Sequence, residues 1–274
     1  MLIELLIIAA LAAFIMETID AGFGMGYGTV LSPLLIAFGF SPLLVVPSLL
    51  FSQAFGGLAA AVCHNRHRNA DFNPKCTDGK RIVESIKKRG ILESLHLGLP
   101  SDLKTVLAIT VLGVLATILS VFVAIQIPTW ILKGYIGILV FVIGALLVLG
   151  ITFKFSLKKM MAVGLVASFN KGLSGGGFGP VTTGGQVVGG NSHKSSIGCT
   201  ALSEVPICIV GFLSYLLMNG MAGYELMGAL TVGAVLGAPL GAWATKKIEV
   251  HKLKVIIGVT VMVLGAWTLI KLAL

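Results

Sequence analysis

Of the chain's 274 residues, 56% are hydrophobic and 11% charged, with 35 glycines and a mean hydropathy of +0.99. Soluble domains carry about 25% charged residues, so a water-soluble globular domain is excluded. The formal charge of +9 is carried between apolar runs, which reads as membrane topology and not as a nucleic-acid surface.

Apolar runs of at least 18 residues recur along the chain, each long enough to cross about 30 Å of hydrocarbon. The fold class is an all-α integral membrane protein, multi-pass, in the plasma or inner cell membrane. The N-terminus MLIELLIIAALAAFI carries Glu4 in place of the basic start of a secretory signal, so it is read as retained. Residues 2–38 form a first broken segment, apolar but interrupted by AGFGMGYGTVLSP at 21–33. Residues 2–20 already reach about 28 Å and 29–38 add about 15 Å, too much for one crossing. A helix at 43–62 follows, then a basic loop over 64–103, then helices at 104–125 and 129–150. A second broken segment, 158–189, can be read as a hairpin or a full crossing. Helices at 195–218, 224–244 and 251–273 complete the chain.

The two broken segments resemble each other. Setting Gly26-Tyr27-Gly28 over Gly177-Phe178-Gly179 gives a constant offset of 151 residues. That register also pairs Gly24 with Gly175, Gly39 with Gly190, Ser41 with Ser192 and Ser52 with Ser203, and sets Gln53 on Glu204 and Asp20 on Lys171. An internal duplication follows: residues 1–150 are a first transmembrane repeat and 151–274 a second. If each broken segment is a re-entrant hairpin, each half has three full spans and the halves are inverted. With the 64–104 loop in the cytoplasm, 17 of the 20 Lys/Arg then lie inside. If both segments cross fully the split is 13 inside to 6 outside. The positive-inside bias favours the hairpins.

Non-helical backbone survives at membrane depth only when buried in protein or lining a polar cavity. Paired glycine-interrupted segments in an inverted repeat point to a transporter's central site. Glycine permits positive φ and close approach to a ligand. Half-helices expected to begin near Thr29 and Thr182 would present unpaired N–H groups and a positive dipole end to a small anion. The substrate-binding candidates are therefore Gly22, Gly24, Gly26, Gly28, Thr29, Ser32, Ser174, Gly175, Gly176, Gly177, Gly179, Thr182 and Thr183. The competing reading is that the glycines only let helices pack closely, which is preferred for Gly233, Gly237 and Gly241. A nucleotide loop is set aside, because no Gly-Lys-Ser/Thr ending and no preceding strand is present.

Charge inside a membrane is costly, about 2.5–3.5 kcal/mol per residue on insertion scales. Asp20 and Lys171 are expected to pair, or nearly so, across the pseudo-twofold axis, in a functional or a structural ion pair. Glu204 is a candidate proton carrier or a hydrogen bond holding the hairpin, and Glu17, on Asp20's turn, is similarly open. Ser48, Gln53, Thr200 and Ser203 are candidate polar contacts from the following helices. Cys63, His64, His67 and Cys76 fit no usual zinc spacing, so His64 to Arg68 is read as a headgroup contact at the membrane edge. Cys199 is read as a small buried hydrophobe. No metal or cofactor is expected.

The paired order of these motifs resembles the TauE/SafE family of sulfite and organosulfonate exporters. The first half reads GFGMGYGTVLSPLLIAFGFSPLLVVPSLLFSQAFGGLAAAVCHNRHRNADF and the second NKGLSGGGFGPVTTGGQVVGGNSHKSSIGCTALSEVPICIVGFLSY. His64 through Asp71 resembles the basic tail usual after the first of these helices. The family's Gly-Thr-Ser is replaced here by Val46-Pro47-Ser48 and Gly198-Cys199-Thr200. The resemblance implies a small sulfur-containing substrate: sulfite first, then sulfonates or thiosulfate. Physical reasoning alone reaches a small anion. The expectation is an alternating-access transporter, not an enzyme, working between the 22–28 and 172–179 loops. Its partners would be that anion, the lipid bilayer and protons as a candidate coupling ion. The alternative is an anion channel using the same helix ends.

Overall fold

The computed structural model describes residues 2–73, 99–149, 157–188, 191–220, 223–245 and 250–273. Most of the 64–103 loop, Cys76 within it, lies outside these residues. Ten helices lie among them: α1 (Leu2–Phe23), α2 (Tyr27–Ala37), α3 (Pro42–Arg66), α4 (Ser101–Gln126), α5 (Thr129–Leu149), α6 (Leu157–Ser174), α7 (Phe178–Val188), α8 (His193–Asn219), α9 (Tyr224–Ala244) and α10 (Val250–Ala273). Six of the described helices are long and apolar enough to cross a membrane. They present outward stripes such as Leu107, Val111, Leu115, Ile118 and Phe122 on α4, at the spacing of one helix face. With lipid as apolar as the core, such a face needs no protein cover.

Close approaches at small residues give the helix directions. Gly233, Gly237 and Gly241 of α9 lie in turn against Ala10–Phe14, Phe14–Thr18 and Thr18–Gly22 of α1, so α1 and α9 run the same way. Small residues let the two backbones meet. On α6, Gly164 meets Ile109, Ser168 meets Gly113 and Gly172 meets Thr117 and Ser120, so α4 and α6 are also parallel. In α3 and α8 the order reverses: His64 meets Gly198, Gly57 meets Ala201 and Val205, and Leu50 meets Gly211. Leu44 against Gly223, Gly56 against Ala234 and Asn69 against Ala242 set α3 parallel to α9.

Helices α1 and α3 therefore share one direction, with α2 between them, so α2 brings the chain back. The same holds for α6, α7 and α8, the last running with α4 through the contacts of Asp102 with Ser195, Gly113 with Ile207 and Thr117 with Gly211. The packing partners are reciprocal as well. α1 lies on α9 as α6 lies on α4, while α3 meets α8 and α5 meets α10.

The half-helices start at Tyr27 and Phe178, two and four residues before the expected Thr29 and Thr182. The chain turns at once on Gly24 (φ 74°) and Gly26 (φ 139°), and again on Gly175 (φ 75°) and Gly177 (φ 81°), conformations that side chains resist. These four positions obey the 151-residue offset.

Candidate functional site

The two glycine turns pass one another at the centre of the bundle. A Cβ at Gly28 would overlap the carbonyl oxygen of Gly175, and one at Gly179 would overlap that of Gly24. Gly176 faces the Gly28 carbonyl oxygen at 2.7 Å from its would-be Cβ. Each turn is also tied to the other by hydroxyls. Ser32 Oγ donates to the Ser174 carbonyl (2.5 Å), Thr183 Oγ1 to the Gly24 carbonyl (3.1 Å), and the Gly177 N–H to Thr29 Oγ1 (3.2 Å). The glycines thus have two structural tasks, positive φ at the turns and backbone-to-backbone approach just beyond them. Gly22 meets Gly241 on α9. Thr182 bonds back to the Phe178 carbonyl in its own helix.

Beside the turns lies a buried chain of charge. Lys171 Nζ is 2.6 Å from Glu204 Oε1, with side chains 1% and 4% exposed. The same ammonium donates to Gln53 Oε1 at 2.6 Å, and Gln53 Nε2 donates to Asp20 Oδ2 at 3.1 Å. Asp20 Oδ1 accepts the Tyr27 N–H at 3.3 Å. Asp20 and Lys171 are therefore joined through one amide, and Glu204 is the direct partner of the lysine. The link Asp20–Gln53 and the pair Lys171–Glu204 occupy equivalent positions under the offset. Glu17 is buried against Gly56, and its Oε2 has no partner among the described residues.

The remaining polar candidates divide. Ser48 and Ser203 bond back to the Leu44 and Cys199 carbonyls of their own helices. Thr200 Oγ1 accepts from the Gln186 amide and meets the Thr183 hydroxyl at 2.9 Å. Ser52 meets the Tyr27 hydroxyl at 2.7 Å.

His64 corrects the expectation of a headgroup contact. It is fully buried, its Nε2 bonded to the Ala21 carbonyl (2.9 Å) and its Nδ1 to the Asn69 amide (3.0 Å), because the end of α3 packs inward on the first hairpin. Its counterpart at the offset is Tyr215, whose hydroxyl donates to the Gly172 carbonyl at 2.9 Å, and Gly172 is the counterpart of Ala21. Sequence reading misplaced His64 and overlooked Tyr215, and Gln186 too. The signal for the first pair was present at the offset, hidden because a histidine and a tyrosine do the same job with different chemistry. No group of three or more His, Cys, Asp or Glu that could hold a metal occurs among the described residues.

A family model described as "Sulfite exporter TauE/SafE" matches residues 9–74 and 92–268. A "Probable membrane transporter protein YtnM" of Bacillus subtilis (strain 168) is 23% identical over 280 residues, covering 97% of this chain and 83% of the relative. No solved structure matches.

Proposed function

The chain belongs to the TauE/SafE sulfite exporter family and is a multi-pass membrane transporter, not an enzyme; from that premise we propose that it is an alternating-access carrier of a small sulfur oxyanion or sulfonate, with sulfite first and thiosulfate behind. Its two halves, 1–150 and 151–274, are inverted repeats, a reading supported by the opposed directions of equivalent helices. The positive-inside rule then sets the end of the bundle at which α3 stops and α4 begins in the cytoplasm.

The observation that carries this reading is the meeting of two helix starts beside one buried ammonium. The two starts differ. At α2 the first N–H is served by the chain's own carboxylate, Asp20. Before α7 the equivalent position holds Lys171, which cannot accept a hydrogen bond, so the counterpart of the Asp20 carboxylate is missing from a positive helix end. An anion is favoured at α7. Substrate contacts from Gly175–Gly179, Thr182 and Thr183 follow from that placement, with the first-hairpin residues closing over them.

Two buried carboxyls, Glu17 and Glu204, and the half-buried Asp20 lie around a single buried lysine among the described residues. Leaving all three ionised is unfavourable by several kcal/mol, so a proton is the coupling ion that fits. Thermal unfolding of the purified protein tests the substrate class. A ligand at about 100 times its Kd stabilises a single site by about 2.7 kcal/mol. Sulfite is expected to raise the midpoint, with sulfonates and thiosulfate behind it and sulfate without effect. If none of the four shifts it, the substrate assignment fails.

A further inference from the structure

We propose that Gln186 is a specificity residue of the carrier, and that its buried amide oxygen accepts a hydrogen bond from an anion that brings its own O–H donor. The inference rests on the carrier reading above and names the protonation form of its substrate, a singly protonated oxyanion such as hydrogensulfite.

Helix α7 sets Thr183 and Gln186 one turn apart, and α8 sets Ser196 and Thr200 opposite them. Gln186 Nε2 donates to Thr200 Oγ1 at 2.9 Å and lies 3.4 Å from the Ser196 carbonyl oxygen. Thr200 and Thr183 hydroxyls meet at 2.9 Å, and Thr183 reaches the Gly24 carbonyl at the tip of the first hairpin. The Ser196 carbonyl can only accept, which fixes the amide with nitrogen towards α8 and oxygen away from it. That oxygen, Gln186 Oε1, has no partner among the described residues, although Gln186 is 0% exposed. A buried acceptor left without a donor is costly, and a ligand donor removes the cost.

The other half of the molecule shows that the scaffold does not require this polar chain. At the 151-residue offset Gln186 falls on Leu35, Ser196 on Val45 and Thr200 on Leu49, all buried in the apolar core. Only Thr183, which falls on Ser32, has a polar counterpart. The same helix contact is thus made with aliphatic side chains in one repeat and with amide and hydroxyls in the other. A difference of this kind between halves that share a backbone belongs to the cargo.

An amide oxygen accepts and never donates. A fully deprotonated oxyanion therefore meets it lone pair to lone pair, whereas hydrogensulfite places a hydrogen there and remains a monoanion. Methanesulfonate is the matched probe: a sulfur oxyanion of similar size and equal charge with three acceptor oxygens and no O–H to donate.

The test is binding of sulfite and of methanesulfonate to the purified full chain at pH 6, in the native protein and in Gln186→Leu, which copies the first half. The native protein is expected to bind sulfite at least about tenfold tighter than methanesulfonate, the scale of one well-made hydrogen bond. Gln186→Leu should weaken sulfite by about tenfold and leave methanesulfonate unchanged. Gln186→Met, nearly the same shape, gives the same readout if the leucine variant does not fold. Equal weakening of both anions, or of neither, overturns the role of Gln186 and leaves the carrier reading standing. A native protein that binds neither anion overturns both.

Discussion

Replacing Lys171 by Met is expected to destabilise the protein by about 3–5 kcal/mol, the usual cost of removing one member of a buried ion pair. The loss comes less from the missing attraction than from what stays behind. Glu204 would keep a charge 2.6 Å from nothing cationic, Gln53 Oε1 would lose its donor, and Asp20 would lose the compensation that reaches it through Gln53. Glu204→Gln in the same chain should recover most of that stability, because a neutral amide needs no counter-charge. Flux should not recover if the ammonium serves the anion. Thermal unfolding and flux measured together separate the two roles: stability restored with flux absent assigns the Lys171–Glu204 pair to transport, and both restored makes the pair structural. Normal flux by a Lys171→Met, Asp20→Asn double mutant would remove both from the mechanism.

Gly28→Val should abolish transport and lower stability by about 3 kcal/mol, the upper end of ordinary overpacking. Here the obstruction cannot be relieved by turning a side chain, since the new Cβ would fall on the backbone of Gly175 and Gly176. Gly179→Val should do the same against Gly24 and Met25. The contrast is Gly228→Ala on α9, where no atom lies within 4 Å of the new Cβ, and which should melt and transport as the native protein does. Equal behaviour of Gly28→Val and Gly228→Ala in the melting experiment would show that the hairpins do not approach as described.

The sequence made the helices legible because a membrane span is a length-and-hydropathy problem, and every glycine turn fell where apolar character was interrupted. The offset of 151 residues carried further than expected: it relates Gly24 to Gly175 and Gly26 to Gly177 in positive φ, and Gly28 to Gly179 in contact with the opposite turn. Side-chain partners were less legible. Opposite charges at equivalent positions suggested Asp20 with Lys171, but the offset equally sets Gln53 on Glu204, and the lysine takes the carboxylate on the neighbouring helix of its own half. His64 was misplaced because its neighbours Arg66 and Arg68 are basic, whereas α3 turns His64 inward towards Ala21. Gln186 was passed over because it has no polar counterpart in the first repeat, the very property that now sets it apart.

Counterflow of sulfite in liposomes tests the central claim most directly. With purified protein and a large internal pool of unlabelled sulfite, uptake of labelled sulfite should saturate with concentration and be stimulated by the trapped pool, as a carrier with one alternately exposed site requires. A steady single-channel current, or flux indifferent to the trapped pool, would contradict a carrier and leave the helix ends lining a pore.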